Sequence, residues 1–162
     1  MMKLSNNKLQ KNKSLDVDIQ YASQAIENKW SDTISIKDLR RWVKAAIQHD
    51  AQILIRFVGR AESKRLNTEY RSQDHATNIL TFTLSAENSP PVLIADLILC
   101  MPVIEVEAKK QNKTIQNHLA HLVVHGVLHA QGFDHEDEID AFAMESLEIA
   151  ILKKLKIQNP YV

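Results

Sequence analysis

Glycine is scarce in this chain: only Gly59, Gly126 and Gly132 occur in 162 residues. That excludes collagen-like repeats, glycine-rich linkers and phosphate loops of the GxGxxG or Walker type. Cysteine is scarcer still. The single Cys100 permits no internal disulfide and, closing an apolar run, reads as a small packed hydrophobe, which fits a reducing cytoplasm. No apolar run reaches 18 residues, and the basic start MMKLSNNKLQKNKS lacks an apolar h-region, so neither a membrane span nor secretion is expected. Net charge is also missing: 20 Lys+Arg balance 20 Asp+Glu, which argues against coating nucleic acid through bulk charge. The charge is uneven, however. Residues 1–81 carry 14 basic and 9 acidic side chains and residues 82–162 carry 6 and 11, so the halves stand at +5 and −5.

What is present suffices for one ordinary domain, with 44% hydrophobic and 25% charged residues. Residues 1–14 read as a polar, flexible N-terminus, 15–157 as a single domain and 158–162 as a C-terminal tail. Leu15, Val17 and Ile19 alternate with polar residues, as do Ile53, Ile55 and Phe57 with their neighbours, and both patterns predict strands. Leu39, Trp42, Val43, Ala46 and Ile47 repeat at helical spacing, which makes Trp42 a core anchor. A short basic helix is expected over 62–70, and strands over 77–83 and 92–100, the last two separated by the turn-rich ENSPP. Asp96, inside the apolar run VLIADLILC, needs either a partner or a bulge that exposes it. Helices over 115–130 and 136–155 complete the chain, the second with Ile139, Phe142, Ala143, Leu147, Ile151 and Leu155 along one side. The expected fold is a single α/β (α+β) domain, a roughly four-stranded mixed sheet packed with helices.

Five of the seven histidines fall between His118 and His135, and three of them form HGVLHAQGFDH. On a helix, His125 and His129 stand one turn apart on one face and can point two imidazoles at one ion. Gly132 permits the left-handed conformation that ends a helix, so the chain can reverse and bring His135 back as a third ligand. Three neutral nitrogens on a tetrahedral metal leave one position open, the coordination of a catalytic zinc. His121 and His118 lie one and two turns N-terminal of His125, at ~5.4 Å per turn, and suit supporting or structural roles. The spacing matches the metzincin template HExxHxxGxxH except at one position, where Gly126 replaces the glutamate that deprotonates water. A metal shell without that base suits phosphodiester cleavage, which needs an arginine to offset charge. Between residues 56 and 71 the candidates are Arg56, Arg60, Lys64, Arg65 and Arg71, of which Arg71 ends the helix where a loop begins. Asp96 and Asp134 are the nearest candidates for a general base.

Three stretches carry a resemblance to a known family: AESKRLNTEYRSQDHATNILTF (Ala61–Phe82), ADLILC (Ala95–Cys100) and HLVVHGVLHAQGFDH (His121–His135). Together they resemble the YbeY family of bacterial metal-dependent, single-strand-specific endoribonucleases, over roughly residues 53–155. The resemblance implies His125, His129 and His135 as ligands of one Zn²⁺ ion and Arg71 as the functional arginine. It further implies maturation of the 3′ end of small-subunit rRNA, ribosome quality control, single-stranded ribosomal RNA and ribosome-associated proteins as partners, no membrane, and the cytoplasm. Ala95, Thr83 and Ala130–Gln131 depart from the family's usual residues. Two rival readings stand beside it: a metzincin-like protease, with a carboxylate supplied from elsewhere, and a non-catalytic ribosome-assembly factor in which zinc shapes a binding surface.

Overall fold

The structure, a computed structural model, describes residues 12–85 and 92–162, so the ENSPP turn lies outside the described residues. Four strands form one mixed sheet in the order β1-β2-β4-β3: β1 (Leu15–Tyr21), β2 (Asp50–Val58), β3 (Ile79–Thr83) and β4 (Val92–Cys100). β1, β2 and β4 run parallel and β3 is antiparallel at one edge. The helices are α1 (Gln24–Trp30), α2 (Ile36–Ala46), α3 (Arg60–Arg71), α4 (Met101–Lys110), α5 (Ile115–Ala130) and α6 (Glu138–Lys154).

Strand alternation sorts side chains onto two unequal faces. Ile53, Ile55 and Phe57 of β2 and Ala95, Leu97 and Leu99 of β4 face the larger core, which α2, α4, α5 and α6 help fill. Val58, Leu80, Ile98 and Cys100 face the other way, into a small cluster closed by Leu66 of α3 and by Phe82. α5 crosses the larger face, and ten of its sixteen residues are buried.

Three features differ from the sequence expectation. α1 and α4 were not anticipated; α4 begins with Pro102 in its first turn, where the missing N–H has no helical partner to lose, and buries Met101, Ile104 and Ala108. On α6 the buried residues are Met144, Glu148, Ile151 and Leu152, whereas Ile139 and Phe142 are 81% and 74% exposed. On α3, Ser63 Oγ donates to the Thr77 carbonyl and Asn67 Nδ2 to that of His75, pinning the connection after the helix.

Candidate metal centre

α5 is capped by Thr114, whose side chain accepts from the Asn117 amide at 3.0 Å, and runs to Ala130. Gly132 then takes φ +96°, which an L side chain rarely adopts. The Gly132 amide donates to the His129 carbonyl and the Phe133 amide to that of Leu128, the paired bonds of a Schellman turn. This is the reversal expected from the glycine. It brings His135 beside the helix, with ring centres at 5.6 Å for His125–His135, 6.1 Å for His129–His135 and 6.3 Å for His125–His129.

Two of these rings are fixed in a defined tautomer. His129 Nδ1 lies 3.0 Å from the Phe133 carbonyl, an acceptor only, so Nδ1 carries the proton and Nε2 keeps its lone pair. His125 Nδ1 lies 2.5 Å from Glu148 Oε1, with the same consequence. Glu148 is fully buried, and its second oxygen accepts from His121 Nε2 at 3.0 Å and from the Tyr161 hydroxyl. Burial alone would raise its pKa. The hydrogen bonds from His121, His125 and Tyr161 prevail and hold it at about 2, so the carboxylate is an anion throughout the ordinary pH range. A histidine whose Nδ1–H is held by a carboxylate or carbonyl is the usual arrangement of a metal-ligating imidazole.

By donor spacing, a different trio stands out: among the described residues it is His121, His125 and Glu148 whose ligand atoms all lie within 4.8 Å of one another and could hold a metal ion. Those short distances are hydrogen bonds already satisfied by protons. A cation there would displace two N–H donors from a buried anion, whereas His125 and His129 each present an Nε2 that no described group uses. The unused Nε2 atoms of His125 and His129 are of the right chemistry for a metal ion, and Glu148 and the Phe133 carbonyl orient their rings. His135 is exposed, and its amide donates to Asp134 Oδ1 at 2.7 Å, bracing the turn.

Arg71 ends α3, and Ser72 follows in the left-handed region at φ 56°. Its guanidinium donates to the Tyr70 and Thr81 carbonyls at 3.1 and 3.0 Å and lies 5.1 Å from the centre of the Phe82 ring. Thr81 belongs to β3, whose inner face touches α5. A Cβ on Gly126 would come 2.6 Å from Ile79 Cδ1 and 3.2 Å from Thr81 Oγ1. Gly126 thus lets α5 lie directly on β3, and Arg71 stands across that one strand from the helix carrying His125. Arg56 is held by Glu62 through bonds of 2.8 and 2.9 Å, and Lys64 lies 3.6 Å from Asp74, so part of the basic segment is neutralised locally.

Asp96 lies on the sheet face away from α5, paired in register with Phe82 and Leu54. There it lines a groove of about 440 Å³ with Arg56, Arg65, Tyr70, Phe82 and Leu84, and desolvation raises its pKa. This placement removes it as a base for the histidine cluster. Glu148 and Tyr161 were missed by sequence reasoning. For Glu148 a signal existed: it stands four residues after Met144 and four before Leu152, on the buried stripe of α6.

The sequence model of one protein family, described as Endoribonuclease YbeY, matches residues 18–156. A relative from Janthinobacterium sp. (strain Marseille), named Endoribonuclease YbeY, is 49% identical over 154 residues, covering 95% of this chain and 98% of its own length. One of the same name from Polynucleobacter asymbioticus is 49% identical over 151 residues, covering 93% and 96%. Among solved structures, the solution structure of TM1509 from Thermotoga maritima matches with a TM-score of 0.51 and 25% identity, over 86% of this chain and 91% of that one.

Proposed function

The chain belongs to the YbeY endoribonuclease family, and from that premise we propose that it cuts single-stranded RNA by metal-assisted hydrolysis at His125, His129 and His135. The observation that carries the site is the pair of anchored Nδ1 atoms, on Glu148 and on the Phe133 carbonyl, which leaves two Nε2 lone pairs one helical turn apart. A Zn²⁺ ion held there would supply Lewis acidity, lowering the pKa of a water and offsetting charge on a phosphate oxygen.

The chain's own residues do the rest. Glu148 and the Phe133 carbonyl orient two imidazoles, and the Gly132 turn delivers the third. Arg71 has two of its five N–H donors engaged by backbone carbonyls, which fix its position, and the others are available to phosphate oxygens. Gly126 carries no general base, and the close approach of Ile79 and Thr81 leaves no room for one. In this reading the substrate is ribosomal RNA, the setting is maturation of the small-subunit 3′ end and ribosome quality control, with ribosome-associated proteins as partners in the cytoplasm. Among the described residues no helix is long and apolar enough to cross a membrane.

The test compares wild type, Arg71→Ala and His129→Ala for bound metal and for cleavage of single-stranded RNA, duplex RNA and an unstructured protein. Metal-loaded wild type should cut only the single-stranded RNA, and both variants should lose that activity. Digestion of the protein with RNA left intact would favour a protease instead. Full function of the two variants in ribosome assembly would favour a non-catalytic factor.

A further inference from the structure

Residues 158–162 follow the last helix, and the sequence assigns them nothing beyond a tail. The fold returns them to the body. Lys113 Nζ donates to the Pro160 carbonyl at 3.1 Å, and the Tyr161 amide donates to Asn159 Oδ1 at 2.8 Å, fixing the last turn near the start of α5. The Tyr161 ring then stands edge-on to His121, with ring centres 5.5 Å apart and planes at 82°, and its hydroxyl donates to Glu148.

That hydroxyl is the third donor on a carboxylate sealed from water. Glu148 Oε1 serves His125 alone, while Oε2 is shared by His121 and Tyr161. A buried anion is tolerated only when its lone pairs are filled, and each bond to it is stronger than one between neutral groups. Remove the hydroxyl and Oε2 keeps a single partner. The carboxylate then gains by turning toward other donors, and that rotation loosens its hold on His125 Nδ1.

We propose that Tyr161 is a positioning residue for the metal centre: by completing the hydrogen bonding of Glu148 it keeps that carboxylate on His125 Nδ1 and holds His125 Nε2 as a free lone pair. The segment around Tyr161 is then a working part of the site, and its aromatic residue sets the tautomer of a ligand two hydrogen bonds away. The final step of this inference, from tautomer to metal affinity, rests on reading His125, His129 and His135 as the ligands.

The full-length chain carrying Tyr161→Phe tests it, because the ring and its contact with His121 remain. Three quantities are measured: the Zn²⁺ dissociation constant by competition with a chromogenic chelator, the imidazole ¹⁵N shifts of the metal-free protein, and the melting temperature. Loss of a direct partner of a ligating histidine weakens metal binding about 10–100-fold, so a group one bond further out should weaken it by about 3–10-fold. The His125 shifts should move from one tautomer toward a mixture. In Glu148→Gln the loss should be larger, and adding Tyr161→Phe to it should cost nothing more, since both act through one carboxylate. A lowered melting temperature with affinity and His125 shifts unchanged would overturn the proposal, as would additive losses in the double variant. Unaltered Zn²⁺ affinity in His129→Ala would instead defeat the ligand assignment, leaving the His125 shifts of metal-free Tyr161→Phe to decide the positioning role alone.

Discussion

Arg71 Nη2 donates to the Thr81 carbonyl at 3.0 Å, tying the last residue of α3 to the open edge of the sheet. Thr81 in turn packs its hydroxyl against the position of Gly126, one residue from His125. An exposed arginine is thereby held by backbone atoms on the strand that abuts the histidine helix, and in the proposed function it would offset charge on a phosphate. Arg71→Ala should lower the rate of RNA cleavage by about 10²–10³-fold, the cost of losing one preorganised donor. Metal content should be unchanged and stability should move by less than about 0.5 kcal/mol. Arg71→Lys should recover only part of the rate, because an ammonium lacks the planar fork. Cleavage rates, metal analysis and a denaturant melt on the same preparations decide it.

Gly126 poses the question of the protease reading directly. Gly126→Glu restores the HExxH pattern, yet even its Cβ would come 2.6 Å from Ile79 Cδ1 and 3.2 Å from Leu97 Cδ2 and Thr81 Oγ1, so the packed layer must shift to admit it. The expected result is no peptidase activity and a loss of stability of about 3 kcal/mol or more, from overpacking together with a buried carboxylate. Chemical denaturation and a casein digestion assay would check both halves.

His118 gives a pH signature separate from the proposed metal ligands. It is 3% exposed, and burial lowers its pKa below the usual 6.5 despite the Glu107 carboxylate 3.1 Å from its Nε2. A histidine kept neutral in the folded state costs nothing above its unfolded pKa. As pH falls below about 6.5 the unfolded chain takes up a proton that the folded chain refuses, so stability declines until the folded pKa is reached. Melting temperatures of the metal-free protein between neutral and mildly acid pH should therefore fall more steeply for wild type than for His118→Gln.

Much of this architecture could be read from period alone. β1, β2, β4, α2 and α5 follow their apolar patterns because each has one or both faces against the core. The HxxxHxxxxxH spacing and Gly132 foretold the histidine cluster and its turn, since both depend on local geometry. What escaped was set by distant contacts. Glu148 looks like a surface charge until Tyr161, 13 residues on, and His121, 27 residues back, are placed on it. Gln131, a departure from the apolar residues common in the family, gains its reason only from the fold: its amide donates to the Ala46 and Val127 carbonyls and accepts from the Gln48 amide. Asp96 could be seen as an anomaly, but its side of the sheet followed from register, and that register carries it away from the histidines.

Which nitrogens meet the metal is answered directly by a crystal of the zinc-soaked protein examined at the zinc absorption edge. The anomalous peak is predicted among Nε2 of His125, His129 and His135, with Glu148 still hydrogen-bonded to His125 Nδ1. A peak among His121, His125 and Glu148, with His129 and His135 unliganded, would contradict it.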